Sequence, residues 1–234
     1  VEPVKRLNLV TDTIESGSLL GGVATALIVA TEFANRSDYE LRIITQNSAT
    51  NPANYMNIMN INGVQPTKKL SFYSDCERFD KPVDFRMEVG SGDIFFATSW
   101  WSAQAIKNTS IRNRFFYIIQ EVETFFYNYG SERFLCEQIM EDKNIDFIIN
   151  SHYLHEYFDV NCTNIAAHSC YFEPAFSRKL YGCSSFADKK KYKLFFYARP
   201  NNPRNLYGVG VDLLQKAVDN GVLNMEEWDV YCVG

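Results

Sequence analysis

No apolar run in this sequence is long enough to cross a bilayer. The longest, residues 19–30 and 114–119, are interrupted or too short for the roughly 20 residues that a spanning helix requires. No signal-peptide pattern opens the chain. Positive charge is not in excess either: 23 Lys and Arg stand against 28 Asp and Glu, a formal net charge of -5. Without a basic field to attract a polyanion, nucleic acid is excluded as the main partner. The six cysteines form no CxxC pair and no zinc-ligand rhythm, which predicts reduced thiols and a cytoplasmic location. Histidine is scarce, at three residues. His152 and His155 stand three apart on a predicted helix, but no third ligand lies near them in sequence, so they read as ordinary exposed or core imidazoles. Repeats and low-complexity tracts are missing as well.

What the chain does have is apolar mass. Hydrophobic residues make up 46%, with 18 Phe and 14 Tyr, too much for a disordered chain in water. Its 234 residues suit one large or two modest domains. Residues 5–11 read as a strand and residues 22–33 as a helix with Val23, Ala26, Leu27 and Ala30 on one face; residues 40–45 form the next strand. A strand, helix, strand order favours a right-handed crossover in a parallel sheet. Further strands are predicted at 69–73, 93–98, 115–119 and 146–150, each nearly continuous in apolar residues, as strands covered on both faces are. Helices are predicted at 100–107, 131–141 and 151–158, each with a serine at or before its start to accept an amide hydrogen bond. The Asn-rich stretch 47–62 reads as a polar loop. These periods predict an α/β fold with a doubly wound parallel sheet.

Composition shifts at the lysine run 188–193, which reads as a solvated linker capable of weak contact with a membrane surface. A junction near residue 190 would separate an N-terminal domain, 1–190, from the start of a second, 191–234, with strands at 194–197 and 228–233 around a helix at 207–220. The first residue is Val1 and a strand-like run reaches Gly234, so the chain is expected to be a piece of a longer polypeptide.

Four stretches can carry chemistry. Gly21 and Gly22 open the first helix, where absent Cβ atoms let a ligand approach amides that suit phosphate or sugar oxygens; a plain tight turn is the alternative. Arg199 and Arg204, with Asn205, lie between a strand end and a helix start, where open sheets bind ligands, and two guanidinium forks suit a diphosphate. Each such contact contributes about 1.5–3 kcal/mol, against about 0.3–1 for the helix dipole, so the arginines should dominate. Gln120, Glu121 and Glu123 follow a buried strand among aromatics, a combination that orients sugar hydroxyls and supplies a base if one carboxyl is raised in pKa. Trp100 and Trp101 close another strand and are either core packing or a sugar platform, with core expected for one of them.

In this order the turn at Gly21 and Gly22, the strand running into Trp100 and Trp101, the run Gln120 to Glu123, and the segment Tyr197 to Asn205 resemble the rhamnosyltransferase-type, WsaF-like members of glycosyltransferase family 4. That resemblance implies a GT-B fold, two Rossmann-like domains with the acceptor on the N-terminal side and the nucleotide-sugar on the C-terminal side. It implies a metal-independent retaining transferase, with a nucleotide-sugar donor, a glycan acceptor and no cofactor, in the cytoplasm or peripherally at the inner membrane face. Arg199 and Arg204 would match the cations that hold the donor diphosphate, Arg204 standing where relatives often have Lys. Gly21 and Gly22 would match the turn that approaches the donor, Asn205 would join the donor side, and Trp100, Trp101 and Gln120 the acceptor side. Glu121 and Glu123 would match an acidic pair near the acceptor, with Glu where Asp is expected first. The family's paired glutamates, E-x7-E, are not reached, so this chain alone is expected to be inactive. Two other readings share these residues. A non-catalytic sugar or nucleotide-binding module could use the same turn and arginines, whereas a sugar-nucleotide epimerase would need a cofactor fingerprint that residues 11–22 lack.

Overall fold

Apolar residues that alternate between two covered faces build the centre of the molecule. The computed structural model describes residues 4–16, 21–74, 87–175, 191–201 and 205–234. Packing divides the chain into two compact units, Val1–Tyr181 and Gly182–Gly234.

The first unit holds strands β1 (Arg6–Thr11), β2 (Glu40–Thr45), β3 (Leu70–Ser74), β4 (Ile94–Ala97), β5 (Phe115–Ile119), β6 (Ile145–Asn150) and β7 (Ser169–Phe172). They form one sheet in the order β3-β2-β1-β4-β5-β6-β7, and every pairing is parallel. Its helices are α1 (Gly22–Asn35), α2 (Pro52–Asn62), α3 (Trp100–Lys107), α4 (Ser131–Met140), α5 (His152–Asn161) and α6 (Thr163–Ala167). Leu7, Leu9, Ile43, Phe96 and Ile118 point to one face, where they pack with Ala26, Leu27, Ala30, Tyr55 and Met59 of α1 and α2. Their neighbours Val10, Phe95, Ala97, Tyr117 and Ile119 point to the other, against Ala103, Ile106, Cys136 and Ile139 of α3 and α4. Burial on both faces is why these strands read as unbroken apolar runs.

From β1 the chain moves outward to β2 and β3, then restarts at β4 on the other side of β1. The β1 and β4 carboxyl ends therefore lead away in opposite directions and leave a crevice, the position at which open α/β sheets take their ligands.

Three local expectations are corrected. The stretch 47–62 is not a loop throughout: α2 occupies Pro52–Asn62. Asn51 caps it, accepting hydrogen bonds from the Ala53 and Asn54 amides at 3.2 and 3.3 Å, Pro52 stands in its first turn and Gly63 ends it. Only Tyr55 and Met59 are buried in α2, so its apolar period is faint, although the Tyr55 and Thr31 hydroxyls bond at 2.8 Å and anchor it. Asn51→Ala is expected to lower unfolding free energy by about 1 kcal/mol in urea, and Asn51→Ser to restore it. Serine capping holds at α3, where Ser99 and Ser102 form a reciprocal capping box, but not at α4 or α5. At α5 a distant carboxylate takes the role: the His152 amide donates to Glu173 Oε1 at 2.9 Å. Within the lysine run, Lys191 donates to the Met225 carbonyl at 3.0 Å and Lys193 already belongs to a strand, so these two are structural residues and not linker.

The second unit is one strand, helix, strand motif: β8 (Tyr192–Tyr197), α7 (Tyr207–Asp219) and β9 (Trp228–Val233), with β8 and β9 parallel. The expected junction near residue 190 falls outside the described residues. Among the described residues no helix is long and apolar enough to cross a membrane, and Cys136, Cys162, Cys170 and Cys232 are free thiols.

Candidate active site

Four strand ends converge on the crevice. The first feature there is the turn into α1. Gly21 has φ +78°, a left-handed conformation that disfavours any side chain. At Gly22 the constraint is different: a Cβ there would sit 3.1 Å from Gln120 Nε2, a tight contact that the Gln120 side chain would have to give way to relieve. Gln120, just past β5, donates from Nε2 to the Gly22 carbonyl at 2.7 Å. Its Oε1 accepts from Asn150 Nδ2, at the end of β6, at 3.1 Å. Gln120 thus engages both ends of its amide and holds the glycine turn against two strand ends.

The second feature surrounds the start of α3. Glu123 opens one turn of 3-10 helix, Glu123–Phe126, and its Oε2 accepts from the Trp100 amide at 2.9 Å. Asp12, directly beyond β1, accepts from the Trp101 indole N–H. Two carboxylates from two strands therefore flank the amino end of α3, where the helix dipole favours negative charge. Trp100 is 8% exposed and Trp101 38%; one indole is core, as expected for one of the pair, and its neighbour reaches solvent. The rings of Trp100 and Trp101 lie edge to face at 5.4 Å, and Tyr127 closes the cluster at 5.9 and 6.3 Å.

Glu121 and Glu123, two apart in sequence, occupy different environments. Glu121 is exposed, whereas Glu123 is half-buried. Burial pushes the Glu123 carboxyl up to about 7, opposed by the Tyr117 hydroxyl and the Trp100 amide and reinforced by the charges of Asp12 and Glu121. Burial also raises Asp12, against the pull of hydrogen bonds from Trp101 and Ser99. The Tyr117 hydroxyl beside Glu123 is raised well above its usual range, first by burial and then by the Glu123 charge. Its oxygen, like Trp100 Nε1 and Thr11 Oγ1, is buried without a hydrogen bond of ordinary geometry. A carboxyl that titrates near neutrality between aromatic rings can hold or release a proton beside a hydroxyl-bearing ligand.

His152 and His155 both pack on Tyr171, at 5.4 and 5.1 Å. Among the described residues no three His, Cys, Asp or Glu gather as metal ligands.

In the second unit, Arg199 follows the carboxyl end of β8 and is exposed, with Nη1 3.4 Å from the Tyr197 hydroxyl. Asn205 precedes α7, and its Oδ1 is buried with no hydrogen-bond partner among the described residues. Arg204 lies outside the described residues.

Sequence reasoning missed Asp12 and Asn150. Asp12 follows β1 directly and Asn150 is the last residue of β6, so applying the strand-end rule at every strand would have found them. Their partners, 89 and 30 residues away, leave no trace in local sequence.

The family model described as WsaF, N-terminal domain, matches residues 6–152, and the one described as WsaF, C-terminal domain, matches residues 192–234. Comparison with curated proteins gave no match.

Proposed function

The chain belongs to the WsaF family of glycosyltransferase domains, and on that premise we propose that it serves the transfer of rhamnose from a dTDP-linked donor to a bacterial surface glycan. The observation that carries this reading is the convergence at the strand-order switch of two carboxylates and two indoles, Asp12 accepting from the Trp101 indole N–H and Glu123 from the Trp100 backbone amide. Flat apolar rings beside carboxylates suit a pyranose, which has both C–H faces and hydroxyls. Glu121 orients acceptor hydroxyls directly, and Glu123 does so by holding the amino end of α3. The turn at Gly21 and Gly22 leaves the amides at the start of α1 open to a phosphate or sugar oxygen.

Arg199, Arg204 and Asn205 take the donor diphosphate. As the anomeric C–O bond breaks, negative charge gathers on the departing diphosphate, and the guanidinium groups stabilise it more than they stabilise the ground state. This assigns to arginine the role that a divalent ion plays elsewhere. In a retaining front-face route the acceptor oxygen bonds to the anomeric carbon on the face the phosphate leaves, and that phosphate takes the acceptor proton. No carboxylate then needs to act as nucleophile.

Calorimetric titration with a panel of nucleotide-sugars tests the assignment. Binding of dTDP-rhamnose tighter than UDP-glucose is expected; equal affinity for all members of the panel would remove the donor assignment. Arg199→Ala and Arg204→Ala should each raise the Kd for dTDP-rhamnose about tenfold, equivalent to about 1.4 kcal/mol.

A further inference from the structure

Trp101 is an exposed indole held unusually firmly. Its N–H is bonded to Asp12 at the end of β1, its ring rests on Trp100 and Tyr127, and the backbone beneath it is tied through the Trp100 amide to Glu123 beyond β5. Asp12 thus holds the indole itself and Glu123 the backbone of the preceding residue, around a side chain that is still 38% exposed. Burial alone does not account for this, because Trp100 supplies the core indole and is 8% exposed. A ring fixed before a ligand arrives loses no rotamer freedom on binding, which is how a stacking surface gains affinity. The indole N–H lies in the ring plane, so a carboxylate on it fixes the orientation and leaves the π-face available for C–H contacts.

We infer that Asp12 is a positioning residue that locks the Trp101 indole as a stacking platform for a pyranose ring. The identity of the ligand as a sugar rests on the reading under Proposed function; the locking of the indole by Asp12 does not.

The test uses the chain with Trp100→Phe and Trp228→Phe, so that emission comes from Trp101 alone, and compares Asp12→Ala, Asp12→Asn and Trp101→Phe. Time-resolved anisotropy and acrylamide quenching read the order of the indole, and methyl α-rhamnopyranoside is the sugar probe. Asp12→Ala is expected to increase quenching of Trp101 and to weaken binding of the probe about fivefold, the effect of re-immobilising one side chain. Asp12→Asn, whose Oδ1 still accepts from the indole, should restore both, which a purely charge-based role would not allow. Trp101→Phe, followed by calorimetry, should weaken the probe at least as much as Asp12→Ala does. Indole order unchanged in Asp12→Ala overturns the inference, as does lost order with probe binding intact. If the probe binds Trp101 but dTDP-rhamnose does not bind the chain, the donor assignment fails and the platform stands.

Discussion

Phe96→Ala is expected to lower the unfolding free energy of the first unit by about 3–5 kcal/mol, the usual cost of removing a buried phenyl ring. Phe96 is 1% exposed and lies in the strand next to β1 at the switch. Its ring meets Phe33 of α1 edge to face at 5.5 Å and Phe116 of β5 at 5.3 Å. Alanine would leave a void that neither ring can fill, since each is held by its own element. Urea unfolding followed by the Trp100 and Trp101 emission, with Trp228→Phe removing the signal of the second unit, would measure the loss. A change below about 1 kcal/mol would show that the site can collapse around the missing ring. The effect should also reach function, because Ser99, Trp100 and Trp101 lie three to five residues after Phe96 and depend on β4 for their place in the crevice.

Stability is expected to fall as pH rises from about 4.5 to about 7, by roughly 1–3 kcal/mol, with Glu123 as the main source. Its carboxyl is pushed up to about 7 from an ordinary value of 4.5, first by burial. The folded state therefore holds this proton more tightly than the unfolded chain does. The contribution is full below the unfolded value and is lost as pH rises through the folded one, where charge must form in a half-buried place. Asp12, also raised, adds to the slope in the same direction. Glu123→Gln keeps an acceptor for the Trp100 amide but has no proton to lose, so its stability should be flatter over this window and higher than the parent's at pH 8. Urea midpoints from pH 4 to pH 8 would decide the matter; equal slopes for parent and variant would place the titration elsewhere.

The two effects draw on different levels of the sequence. Phe96 lies in an apolar run, readable as an inner strand because residues alternate between two covered faces. Sequence alone marks Glu121 and Glu123 alike, as an acidic pair among aromatics or as surface acids on a loop, and does not tell which of the two is raised. Only the fold brings the Trp100 amide and the Tyr117 hydroxyl around Glu123, from 23 and 6 residues upstream. α2 shows the opposite failure: its cap, Asn51, and its proline were visible, but two buried residues in eleven made too weak a period to outweigh its asparagines. β7 and α6 were not anticipated, because the edge strand Ser169–Phe172 has no fully buried residue and α6 is a five-residue helix.

The sequence by itself determined the α/β class, the positions of β1, β2, β4, β5 and β6 and the family, because local periodicity and strand-end residues are properties of neighbours along the chain; the strand predicted at 69–73 as covered on both faces is instead the edge strand β3, with one buried residue. Tertiary structure alone decided that Asp12 grips Trp101, that Gln120 and Asn150 brace the glycine turn, and that Glu121 and Glu123 have different environments. Those relations depend on the order in which parallel strands lie side by side, and with the chain restarting at β4 on the far side of β1, distant segments meet at one sheet edge.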